Sequence, residues 1–142
     1  MKIILITINT LLFLFLSGLH IHWALGGKWA YEGVFPQKAD NTPLGKQPTK
    51  AATWVVAFGL LMFALITTGH TGIFDTWLSP QTFVIGLWVI AIIFLLRTIG
   101  EFKYVGLTKK VKGTLFAHRD QQIYTPLTLG ITLISFLILW LG

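Results

Sequence analysis

Four long apolar runs separated by polar stretches make up the chain. The first extends from Ile3 to Leu25, interrupted only by small polar side chains and by His20 and His22 near its end. Gly26-Gly27 stops it, since glycine loses the most backbone freedom in a helix. Lys28 to Lys50 holds Pro36, Pro43 and Pro48, four lysines and two acids, which is loop composition. The second run, Ala51 to Thr68, leaves through Gly69-His70-Thr71-Gly72, and Ile73 to Gln81 is a short connection. Thr82 to Ile99 is the third run. Gly100 to Tyr124 is a second polar stretch carrying Lys103, Lys109, Lys110, Lys112 and Arg119. Pro126 to Leu141 has 16 residues, where about 20 cross a bilayer, so the last span must start earlier, near Gln122 or Ile123. The pattern predicts one all-α domain over 1–142. It is a polytopic membrane four-helix bundle with spans at about 3–25, 51–70, 82–99 and 123–141.

Composition agrees. Hydrophobic residues make up 54% of the chain and charged residues 11%, against about 25% charged in soluble domains. Such a chain cannot cover its own surface in water. A secretory leader is the rival reading of the first run, with Lys2 as its charged end and Leu16-Ser17-Gly18 as a weak cleavage site. The run continues through Ile21, Trp23 and Leu25, past the roughly 7–15 residues of a leader core, and so reads as a span. Cysteine is absent, which removes disulfides and thiolate chemistry.

The net charge of +6 is explained by topology rather than by nucleic acid. Four spans put both long loops on one side, with ten lysines and arginines counting Arg97, and leave Lys2 alone on the other. The positive-inside bias then predicts cytoplasmic loops and both termini outside.

Helical spacing selects the inward faces. Thr7, Thr10, Ser17, His20, Ala24 and Gly27 form a stripe on the first span, and small or hydroxyl residues are what helices use against one another in lipid. His22 lies about 200° round from His20, at about 100° per residue, and points towards head groups. Thr125, Thr128, Thr132 and Ser135 form a stripe on the last span, and Gly86, Ile93, Arg97, Glu101 and Tyr104 one on the third. Where these faces meet, one mouth of the bundle gathers His20, Trp23, Arg97, Glu101 and Tyr104. The second loop brings His118, Arg119, Asp120 and Tyr124 to the same level.

Each candidate has a plainer explanation. Arg97 could be a snorkelling arginine at the membrane edge, or pair with Glu101 four residues on. Its functional use is as a guanidinium with spare donors for a phosphate or carboxylate. His20 reads first as a hydrogen-bonded bundle residue, and otherwise as the best candidate for an acid/base group or an axial ligand. Trp23, Trp29, Trp54 and Tyr31 read as interfacial anchors, and Lys109, Lys110 and Lys112 as topology determinants near acidic lipid. His70 beside Gly69 and Gly72 reads as part of a turn. His20 and His70 fall at opposite ends of their helices and cannot share a porphyrin. Haem is therefore a minor possibility, through His118 with His20 or His22. No zinc cluster, P-loop, dinucleotide fingerprint or serine-hydrolase element is present.

Three motifs stand out as a set: His20-Ile21-His22-Trp23-Ala24-Leu25-Gly26-Gly27; Leu96-Arg97-Thr98-Ile99-Gly100-Glu101-Phe102-Lys103-Tyr104-Val105-Gly106; and Phe116-Ala117-His118-Arg119-Asp120 closing with Tyr124-Thr125-Pro126-Leu127. Together they resemble a family of small four-span bacterial integral membrane proteins known only as a domain of unknown function. Aspartate is frequent in that family where this chain has Glu101, and an aromatic where it has His22. The resemblance implies a multi-pass protein of the bacterial inner (cytoplasmic) membrane with a four-helix fold, and no activity.

The leading expectation is a binding or transport role. Membrane lipids surround the bundle, and the polar mouth holds the head of a lipid-like, isoprenoid-phosphate or quinone-like ligand. Arg97 and Arg119 supply charge, His20 and Tyr104 hydrogen bonds, and Trp23 a wall. Glu101, Asp120 and Tyr124 complete the candidate set. The alternatives are an enzyme acting on a membrane-dissolved substrate, with His20 as acid/base, Arg97 as charge stabiliser and Glu101 or Asp120 orienting them, and a structural or accessory subunit whose basic loop docks a cytoplasmic partner. A homo-oligomer is also compatible with the sequence.

Overall fold

In hydrocarbon an apolar run must satisfy its own backbone groups, and a helix does so within one segment. The computed structural model describes residues 1–142 and is all-helical: α1 (Lys2–Ala24), α2 (Lys50–Gly69), α3 (Pro80–Ile99) and α4 (Leu115–Trp140), each long and apolar enough to cross a membrane. The protein is thus a multi-pass membrane four-helix bundle. Thr49 caps α2 by accepting the Ala52 N–H at 3.2 Å, and Pro80 stands at the first position of α3, where its missing N–H costs nothing.

The fourth span begins at Leu115, well before the expected start near residue 123. Thr114 caps it through the Ala117 N–H, and the polar residues before Pro126 are helical rather than loop. Pro126 has no N–H to donate and its ring crowds the carbonyl four residues back. The helix absorbs this through a π-helical turn at Asp120–Tyr124, closed by the Thr125 N–H donating to the Asp120 carbonyl.

Polar side chains tie the helices into a closed ring. The Ser17 hydroxyl donates to the Ala57 carbonyl at 2.8 Å, and Thr10 meets Thr68 at 3.2 Å, joining α1 to α2. His70 Nε2 reaches the Phe83 carbonyl at 3.0 Å, joining the end of α2 to α3. The Thr98 hydroxyl donates to that of Thr128 at 2.9 Å between α3 and α4, and the Asn9 amide donates to Ser135 Oγ at 3.2 Å between α4 and α1. Such bonds locate one helix against another where lipid offers no hydrophobic drive to do so.

The expected stripe Thr125, Thr128, Thr132 and Ser135 is buried. On α1 the expected stripe holds at Ser17 and Ala24, which are buried, and at Thr10, which bonds Thr68. Thr7 departs from it: it is exposed and bonds only its own helix, at the Ile3 carbonyl, while Ile6, Asn9 and Phe13 face inward. The α3 stripe is shifted. On α3, Ile93 is exposed and the inward line is Leu87, Ile90, Phe94 and Thr98, which leaves Arg97 at the edge of that face. Phe13, Phe63 and Phe94 pack edge-on or tilted with ring centres 5.6–6.2 Å apart, a favourable arrangement. Phe94 carries this cluster to the foot of the cavity described next.

Candidate functional site

The second motif folds into a compact unit beyond α3. The helix ends at Ile99, and Gly100 takes φ 87°. A Cβ on Gly100 would strike the Val105 carbonyl, and one on Gly106 (φ 78°) would strike the Thr98 carbonyl, so both positions require glycine. The Leu107 N–H donates to the Thr98 carbonyl and that of Thr108 to Ile99. Glu101 therefore does not lie one helical turn above Arg97. It is exposed, and its Oε1 accepts the backbone N–H groups of Tyr104 and Val105, the latter at 3.1 Å. The i,i+4 pairing of Arg97 with Glu101 is replaced by another partner because the helix that would align them has already ended.

That partner is Asp120, fully buried on the π-helical turn of α4. Arg97 Nη2 donates to its Oδ1 at 2.7 Å, and Lys109 Nζ to its Oδ2 at 3.2 Å. The Gly106 N–H also donates to Oδ2, at 2.9 Å, and Lys109 Nζ reaches back to the Gly106 carbonyl at 3.1 Å. These are the only two ion pairs in the molecule, and they share one carboxylate. Two cations on one anion leave the cluster with a formal charge of +1. Arg97 Nη1 is buried with no hydrogen-bond partner.

Beside the cluster lies a cavity of about 500 Å³, mostly apolar in lining, bounded by His20, Trp23, Arg97, Arg119 and Tyr124. Five of the eight expected site residues thus line one space. Asp120 sits behind Arg97 as its counter-ion. Glu101 and Tyr104 are not part of the lining: Glu101 caps its own loop, and Tyr104 is half-buried with the Lys103 ammonium 5.2 Å from its ring centre. His20 Nδ1 contacts the Leu16 carbonyl at 2.7 Å and must carry a proton to do so, because a carbonyl only accepts. In the neutral ring Nε2 is then an acceptor, and it has no protein partner. His22 packs over Gly27, and His118 is exposed. Neither lines the cavity with His20.

The first loop closes the mouth. Trp23 Nε1 donates to the Trp29 carbonyl at 2.7 Å. His20, Trp23, Tyr31 and Phe35 form a chain of rings with successive centres 4.9, 5.6 and 5.3 Å apart. Ala30 turns at φ 57°, a conformation uncommon for a residue with a Cβ. Trp23, Trp29, Ala30 and Arg119 border the apolar cavity and also a more open space of about 630 Å³ that Lys28, Glu32 and Lys50 line. Arg119 has no ion-pair partner and stands between the two.

Sequence reasoning missed two parts of this arrangement. Lys109 reads as one of three loop lysines, yet is buried; its spacing from Gly106 offers no warning. Asp120 is expected at the mouth and, with Glu101, as a group that could orient Arg97, but neither its selection over Glu101 nor its sharing with Lys109 is legible, because the pairing spans 23 residues.

Fold and site together define a multi-pass helical membrane protein with a charged cluster at the end where its two long loops meet. The chain belongs to the family described as "Protein of unknown function (DUF3995)", whose model matches residues 13–135. Neither a curated protein nor a solved structure matches it.

Proposed function

We propose that the protein binds, and in a membrane exchanges, a lipid-like molecule with an anionic head, such as a phospholipid or an isoprenoid phosphate. The tail occupies the apolar cavity and the head meets Arg97 and Arg119. The observation that carries this reading is the surplus charge: Arg97 shares its only carboxylate with Lys109, keeps one buried donor unmet, and stands on an apolar cavity of ligand size. Intramembrane charge is costly unless compensated or used, and a phosphate would compensate it through charge-assisted hydrogen bonds. His20 Nε2 is an acceptor for a protonated head oxygen, Tyr124 adds a polar edge, and Trp23 walls the entrance. A quinone fits the volume but brings no charge, and so leaves the surplus in place. An acid/base role for His20 has weaker support, since its one hydrogen bond is to a backbone carbonyl and no side chain hydrogen-bonds it.

By the basic loops, the site belongs to the cytoplasmic leaflet of a bacterial inner membrane. The test is native mass spectrometry of protein extracted from its own membranes. The wild type should carry one more phosphate-bearing amphiphile than Ile123→Trp, whose larger ring narrows the cavity that Ile123 lines. Equal numbers bound to the two proteins would refute the assignment.

A further inference from the structure

We propose a second site on the Lys109 side of Asp120, which binds the phosphate of an anionic phospholipid at the rim of the bundle. It rests on a side chain that the apolar cavity does not use. Nearly every threonine in the four helices places its hydroxyl on a backbone carbonyl or another hydroxyl: Thr67 on Phe63, Thr68 on Ala64, Thr98 on Phe94, Thr132 on Thr128. Thr125 is the exception. The π-helical turn before it bonds its N–H five residues back and breaks the regular i−4 register its hydroxyl would use. The result is a hydroxyl that is buried and without a partner. Buried polar groups are rarely left so.

Thr125 borders a space of about 240 Å³ together with Lys109, Lys112 and Gln121 on the polar side and Leu107, Pro126 and Leu129 on the apolar side. The Lys109 ammonium gives two of its three N–H groups to Asp120 and the Gly106 carbonyl, so one remains. Lys112 is exposed and unpaired. A phosphate in this space would accept from the two ammoniums, the Gln121 amide and the Thr125 hydroxyl. The apolar residues of the lining, Leu107, Pro126 and Leu129, offer a free phosphate nothing, whereas the exposed Leu129 and Leu133 continue down the outer face of α4 as a path for acyl chains. The occupant is therefore a lipid head rather than a soluble ion.

The experiment titrates phosphatidylglycerol into the detergent-solubilised Ile123→Trp protein, whose main cavity is narrowed by the larger ring, and counts bound lipid by native mass spectrometry. One phosphatidylglycerol should bind in preference to phosphatidylcholine. Lys112→Ala and Thr125→Val should each weaken it about tenfold, the scale of one hydrogen bond to a charged group. Lys110→Ala, outside this space, should leave it unchanged. Thr125→Val removes a hydroxyl with no partner, so its melting temperature in phosphatidylcholine should not fall, which separates lost binding from lost folding. Equal affinity in Thr125→Val and its parent would overturn the proposal. So would an equal loss in Lys110→Ala, or displacement of the lipid by inorganic phosphate.

Discussion

Asp120 holds two cations and a backbone N–H from a fully buried position. Removing one member of a buried ion pair strands the others without water to replace it. Asp120→Asn should therefore destabilise the protein by about 3 kcal/mol, the low end for such a loss because Arg97 is part-exposed and screened. Glu101 is the contrasting residue. It lies outside the cavity and accepts two N–H groups from an exposed loop. Glu101→Gln keeps a carbonyl acceptor and should cost less than about 1 kcal/mol. Reversible denaturation in mixed micelles measures both. If Glu101→Gln cost as much as Asp120→Asn, Asp120 would not be the organising carboxylate.

Between α2 and α3 the packing depends on absent side chains. A Cβ on Gly69 would lie inside the Phe83 ring, whereas one on Gly59 would meet nothing. Gly69→Ala should destabilise by about 1–3 kcal/mol, the cost of overpacking. Gly59→Ala should be neutral or stabilising by up to about 1 kcal/mol, as helix propensity dictates. Thermal unfolding of the pair in one detergent checks the difference, and equal effects would mean α2 and α3 do not meet at Phe83. This scale also separates what the sequence made legible from what it hid. The four spans follow from hydropathy alone, and the Thr125–Ser135 stripe from a constant helical step. The α3 stripe is displaced from its expected line because Arg97 sits at the edge of the buried face rather than in it. The start of α4 was hidden because Thr114 to Ile123 is polar enough to pass for loop, and its π-helical turn breaks the regular step on which such readings rely. The partners of Arg97 were hidden for a third reason: two glycines at positive φ fold the chain back, and neither spacing nor periodicity reports where a turned chain ends.

Across the whole molecule, the charge pattern predicts orientation. Ten of the eleven lysines and arginines belong to the end where the two long loops meet. The chain has no cysteine, so single cysteines can be placed without a background. In intact cells a membrane-impermeant maleimide should label Gly142→Cys and spare Lys46→Cys until the cells are opened. The reverse pattern would put the charged mouth on the outer leaflet.

The most direct test of the central claim, that a guanidinium with surplus charge selects the head of an amphiphile held in the apolar cavity, is a matched titration. Two ligands with the same alkyl chain, one with a phosphate head and one with an uncharged head, are added to Lys112→Ala, in which the rim site is weakened, and to the same protein carrying Arg97→Gln, and binding is read by native mass spectrometry. The phosphate should bind Lys112→Ala at least about tenfold more tightly than its uncharged twin, as a charge-assisted contact requires, and the preference should collapse when Arg97→Gln is added. Equal affinities for the two heads in Lys112→Ala, or a preference that survives Arg97→Gln, would contradict it.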